Sequence, residues 1–131
     1  MIGLDTNVLL RLFVEDDAAQ SERARRFVKA ATQNDACFIN PVVFAEFVWT
    51  LLRRMKRTKT EVSNLIEQLL SADDLEISYR EAAARALRAY RLGRADFADY
   101  FLAGINEDHG CSSTATFDSD ALGHKSFSPI P

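Results

Sequence analysis

Four strand-length runs, residues 1–4, 36–39, 75–77 and 111–117, give way in turn to Asp5, Asn40, Ser78 and Asp118. Between them lie longer segments with the apolar period of helices and their own capping residues. That alternation constrains the fold more than any single residue does. It predicts an α/β protein with a mainly parallel sheet and helices on both of its faces. Right-handed crossovers would then bring the carboxyl ends of the strands to one edge, where open α/β sheets bind ligands.

The first strand stops at Asp5, and Thr6 and Asn7 read as caps of an apolar helix over 8–14. Asp5 is thus either a turn residue or a carboxylate placed for chemistry. Glu15, Asp16 and Asp17 form an acidic cluster of caps, and Asp17 with Gln20 makes an approximate capping box for a helix over 18–33. Its core face is Ala24, Phe27, Val28 and Ala31.

Asn40 followed by Pro41 starts a helix whose next residues, 42–49, are apolar all round except for Glu46. An unpaired carboxylate in a buried run costs about several kcal/mol, so Glu46 is expected to be neutralised, paired or metal-bound. The plainer alternative is a side chain that reaches solvent or an arginine. Thr58 with Glu61 and Ser78 with Glu81 are capping boxes for two further helices. The first turns Val62, Leu65, Ile66, Leu69 and Leu70 inward; the second turns Ala82, Ala86, Leu87 and Tyr90 inward and ends at Gly93.

Asp96 opens the last helix, which ends at Gly110, and Asp99 lies one turn further on the same face. The two acids are an N-cap and an N3 acid, or they share a ligand. Residues 127–131 contain Pro129 and Pro131, which limits them to an edge strand or an extended end.

With 131 residues, 47% hydrophobic and 27% charged, the chain makes one domain, 1–131, with a single core. The N-terminus lacks the pattern of an export signal and no apolar run reaches membrane-spanning length, which predicts a cytoplasmic protein with no membrane contact. Cys37 and Cys111 sit in apolar or small-residue surroundings and read as reduced, buried thiols rather than a disulfide or zinc framework. The formal charge of −3 offers no global attraction for nucleic acid, yet Arg53, Arg54, Lys56, Arg57 and Lys59 cluster at one helix end. Arg80, Arg85, Arg88, Arg91 and Arg94 decorate another helix. Both groups are solvated faces or phosphate contacts.

Asp5 and Asp118 end strands, while Glu46, Asp96 and Asp99 lie early in helices, so all of them can converge on one sheet edge. Carboxylates brought together raise one another's pKa, an arrangement that a divalent cation sustains. Oxygen donors without His or Cys select Mg²⁺ or Mn²⁺ over zinc, and His109 and His124 read as surface residues. Such a centre suits hydrolysis of phosphodiesters by metal-activated water, with the basic segments holding the polyanion.

The motifs LDTNVLLR at 4–11, NPVVFAEFVW at 40–49, DFADYFLAG at 96–104 and TATFDSD at 114–120 together resemble the PIN-domain ribonucleases, specifically the VapC toxins of VapBC-type toxin-antitoxin pairs. The resemblance implies a three-layer α/β/α sandwich with a central, mainly parallel sheet of four or five strands, usually dimeric. It implies Asp5, Glu46, Asp99 and Asp118 around Mg²⁺ or Mn²⁺, with Asp5 and Asp99 nearest the ion. Asn7 and Thr116 match polar positions that orient acids or water, and Asp96 and Asp120 either touch metal or water or cap helices. It also implies an RNA substrate, for which Arg53, Arg54, Lys56 and Arg57 are the candidate contacts, and a VapB-like antitoxin whose C-terminal segment lies over the site. The rivals are a degenerate PIN domain acting as an interaction module, and a phosphatase with Asp5 as nucleophile, which would want a second acid where Asn7 stands. A phosphoacceptor receiver domain does not match the order of the acids.

Overall fold

Three parallel strands carry the first part of the fold in their sequence order: β1 (Ile2–Gly3), β2 (Cys37–Ile39) and β3 (Leu75–Ile77). Ile2 lies opposite Cys37, and Cys37 opposite Leu75. β4 (Thr114–Thr116) and β5 (Phe127–Pro129) pair in parallel as a second sheet. The computed structural model describes residues 1–14 and 16–131; Glu15, read above as a cap, lies outside the described residues.

The α/β class and the parallel pairing follow the sequence pattern, but the single sheet of four or five strands does not. The hydrogen-bonded ladders divide into three strands and two. β1 is only two residues long and pairs on one edge, with β2. β4 is shorter than 111–117 because the chain before it is taken up in a turn. There the Cys111 N–H bonds the Asn106 carbonyl at 3.0 Å, and the Asn106 side-chain amide donates to Thr114 Oγ1 at 2.9 Å. Cys37 is buried as expected; Cys111 is exposed, a correction that the same turn explains. β5 is an edge strand ending at Pro129, as its prolines require.

Six α-helices lie between the strands among the described residues: α1 (Thr6–Phe13), α2 (Ala18–Ala31), α3 (Pro41–Trp49), α4 (Lys59–Leu70), α5 (Arg80–Leu92) and α6 (Phe97–Asp108). Several begin where their caps predict. Asn40 Oδ1 accepts from the Val43 N–H at 2.9 Å, and Thr58 Oγ1 accepts from the Glu61 N–H at 3.2 Å. Asp17 accepts from the Gln20 N–H, but the Gln20 side chain turns to Arg11 instead of completing a capping box.

Two starts differ. In α1 the cap is Asp5 itself, whose Oδ1 accepts from the Val8 N–H at 3.0 Å, and Thr6 is already helical. In α5 the expected Ser78 cap is replaced: the Ser78 N–H bonds the Ile39 carbonyl at 3.0 Å, so Ser78 still belongs to the β2–β3 edge and Tyr79 takes the cap position. Tyr79 then turns through φ 58°, held by a 2.8 Å hydrogen bond to His109 Nε2. In α2, Val28 is buried but Phe27 is 49% exposed, since this helix rests on α1 at the edge of the fold.

The core is built on aromatics from α3 and α6. Phe44, Phe47 and Phe97 are fully buried, and the rings of Phe44 and Phe97 stack at 5.4 Å with an interplanar angle of 13°. Phe101 and Tyr90 close around them, and Phe13 of α1 meets Phe47 edge-on at 6.1 Å. Ala82, Ala86, Leu87 and Tyr90 of α5 face inward as their spacing predicts.

Two glycines let α5 and α6 close on each other. A Cβ at Gly104 would stand 3.2 Å from Ala82 Cβ, and one at Gly93 would stand 2.0 Å from the Tyr100 hydroxyl. Gly93 is extended, so the space above it and not a left-handed turn requires glycine; Gly110, at φ 88°, is the left-handed one. Gly93→Ala should therefore lower stability by about 1–3 kcal/mol in a thermal melt. Gly123→Ala, which meets nothing within 4 Å, should be near neutral.

Candidate active site

The Phe44–Phe97 stack sets the start of α3 against the start of α6, and the site is built on those two helix starts. Asp96 caps α6, and Asp99 Oδ2 reaches back to accept the Asp96 N–H at 3.1 Å. The donors and dipole of a helix N-terminus favour such acids. The capping reading of the pair is therefore realised, and it does not exclude a second role for the free oxygens.

Asp118 follows β4, and its placement is fixed at both ends. The Asp118 N–H donates to Thr116 Oγ1 at 3.0 Å, and Asp118 Oδ1 accepts the Asp120 N–H at 2.9 Å. Thr116 thus holds the backbone N–H of Asp118, and Asp120 contributes its own backbone to the same turn. Asp99 is the electrostatic centre of the group. Partial burial raises its carboxyl above the usual carboxylate range. The bond from the Asp96 N–H pulls it down, and the charges of Asp96 and Asp118 push it further up.

Glu46 is exposed, which corrects the expectation of a buried carboxylate needing a partner. α3 buries Phe44, Phe47 and Val48 but leaves an outer face, with Val42 74% and Trp49 55% exposed. An apolar sequence all round did not make a helix buried all round. Glu46 still belongs to the neighbourhood, because it lines a shallow groove with Trp49, Arg54 and Ala98, the residue before Asp99.

Asp5 is exposed just after β1, where it caps α1. Asn7 lies in a groove between α1 and α2 with Arg11 and Phe27, away from the acid pair. Arg53 Nη2 stands 3.8 Å from Asp96 Oδ2, a partner that sequence spacing gave no means of finding. Both groups are largely exposed, so the pair is worth no more than about 1 kcal/mol. Arg57 bonds Glu61 at 3.4 Å, whereas Arg54 and Lys56 are exposed. His109 Nε2 bonds the Tyr79 hydroxyl, and His124 Nδ1 accepts the Ser126 N–H.

The donor chemistry fits a hard divalent cation. Asp5, Asp99 and Asp118 each use one oxygen on a backbone N–H and keep the other. Among the described residues, however, no three acid, imidazole or thiol groups stand close enough to share one ion.

A sequence profile of the PIN domain matches residues 2–126. The chain belongs to the PIN-domain family. PIN domains are a family of nucleases, and membership supports a nuclease function for this chain. No match was found among curated proteins. No helix of the described residues is long and apolar enough to cross a membrane.

The raised Asp99 carboxyl gives this PIN domain a testable pH signature. An acid that is weaker when folded costs stability as pH rises from the ordinary aspartate range through its folded pKa, and the cost persists above it. Asp99→Asn keeps an oxygen for the Asp96 N–H but loses the charge. Melts across that range should show the variant gaining on the wild type as pH rises, and a pH-independent difference would contradict this.

Proposed function

We propose that this PIN-domain protein is a Mg²⁺- or Mn²⁺-dependent endoribonuclease and the toxin of a VapBC-type toxin-antitoxin pair. The observation that carries the nuclease reading is the PIN-domain profile match over residues 2–126, and Asp99, a partly buried carboxyl beside two other acids at a helix start, is the group it bears on most. Such an arrangement gains most from a cation.

In this reading Asp5 and Asp99 would hold the ion most closely, with Glu46 and Asp118 as the further acids. When bound, the ion supplies a water of lowered pKa and offsets charge on the phosphate oxygens. The chain's own residues do the positioning. The Asp96 N–H holds one oxygen of Asp99, and the Asp120 N–H holds one of Asp118, so the remaining oxygens are presented from fixed carboxylates. Thr116 steadies the turn that carries Asp118. Asn7, Asp96 and Asp120 belong to the supporting set.

Arg54, on the same groove as Glu46, is available to a phosphate with Lys56, and Arg53 reaches one by exchanging its partner Asp96. Arg57 is the weakest of the four candidates because Glu61 already engages it.

The exposed apolar face of α3, Val42 and Trp49, continues onto Leu102 of α6, one turn beyond Ala98. This face supports a homodimer. A VapB-like antitoxin covering the acidic wall, a cytoplasmic location, and a three-layer arrangement of the six helices about the strands belong to the same reading.

Purified protein should cleave RNA with Mg²⁺ or Mn²⁺ and stop in excess chelator. Asp5→Asn and Asp99→Asn should each lower cleavage by about two orders of magnitude or more, since groups that only orient ligands are worth about 10–100-fold. Full cleavage in chelator would end the metal reading, and folded protein inert on every RNA with either ion would favour the non-catalytic module.

A further inference from the structure

α5 carries or adjoins the five arginines of its sequence cluster, and the structure sorts them into two kinds. Arg80 is held by the Leu70 and Leu75 carbonyls, Arg91 bonds Glu67 at 3.1 Å, and Arg85 bonds Asp108 at 2.9 Å. Arg88 and Arg94 are exposed and have no ion pair among the described residues. Both of these line one groove of about 790 Å³, which runs between α5 and the connection from β4 to β5. Lys125, another exposed cation with no ion pair among the described residues, faces them from that connection.

The floor of the groove is apolar, formed by Ala86, Ala89 and Gly104, with Leu92, 91% exposed, at its rim. Its acids are Glu107, engaged by the Ser126 hydroxyl, and Asp120. Asp120 is also the residue whose N–H holds Asp118. One end of the groove is therefore continuous with the turn that carries an acid of the candidate site.

We infer that this groove holds a single-stranded RNA segment leading to the acidic wall, with its phosphates on Arg88, Arg94 and Lys125. The inference rests on the nuclease reading and adds to it a second contact surface, apart from the basic cluster after α3. Three things carry it: cations left without internal partners, an apolar floor for sugar and base, and continuity with Asp118. A positively charged groove that tracks the backbone is one of the means by which unpaired strands are bound.

The test is fluorescence anisotropy of a labelled oligouridylate with the full chain in chelator, which prevents metal-dependent cleavage, over a range of KCl. The triple substitution Arg88→Ala, Arg94→Ala, Lys125→Ala should weaken binding about tenfold or more at low salt. It should also lower the slope of log Kd against log salt by about 2, at about 0.7 per lost phosphate contact on a single strand. Arg94→Ala alone should lower the slope by about 0.7, which keeps the test open if the triple variant melts early. Lys29→Ala, on exposed α2, is the control and should change neither.

Unchanged affinity and slope in the triple variant overturn the groove, and if metal-dependent cleavage persists the nuclease reading still stands. Binding that depends on the three cations in a protein that cuts no RNA supports the groove and overturns the nuclease reading. Binding of polyglutamate without binding of oligouridylate overturns the groove as an RNA surface.

Discussion

The stack of Phe44 on Phe97 is the contact on which the rest of the molecule depends. Phe44 lies in the first turn of α3, which leaves the central strand of the three-stranded sheet, and Phe97 is the first residue of α6, 53 residues later. Burying each ring is worth about 1.5–3 kcal/mol, with about 0.5–1.5 kcal/mol more for the stacked pair. That energy fixes two helix starts side by side. Without it, Asp96 and Asp99 would have no defined relation to Glu46. The same cluster reaches Phe13 through Phe47 and so ties α1, with Asp5 as its cap, to the same core.

The acids obey two demands at once. Asp5, Asp99 and Asp118 close local backbone structure with one oxygen each, so they are structural whether or not they are also chemical. This resolves what began as a choice between a cap and a ligand: one carboxylate has two oxygens and can serve as both. Asp99 is where the two demands meet, because burial and its acidic neighbours work against the backbone bond that favours its charge. Gly93 and Gly104 serve the same end by letting α5 and α6 approach closely enough to set the first turn of α6 in place.

Much of this was legible in the sequence because the signals were local. Asn40 before Pro41, Thr58 with Glu61 and the inward period of α5 all act within a few residues, and the structure follows them. What was not legible depends on distant contacts. Ser78 is not the cap because it continues the β2–β3 edge and leaves the cap position to Tyr79, and Glu46 is exposed because the neighbours of α3 cover only part of an apolar helix. The pairing of Arg53 with Asp96 and the sorting of the α5 arginines into engaged and free ones have no trace in spacing. The division of the strands into two sheets turns on a two-residue β1, which an apolar run of four could not foretell.

In the proposed reading, an acidic wall at two helix starts has a basic groove leading to it, charges of opposite sign that a polyanion and a cation together would satisfy. The central claim is that Asp99 takes part in binding a divalent cation, and titration calorimetry of Mn²⁺ into the wild-type chain and the folded Asp99→Asn variant tests it most directly. Saturable binding by the wild type, weakened about tenfold or more in the variant, is the predicted result. Equal binding by both proteins, or none by the wild type, would contradict it.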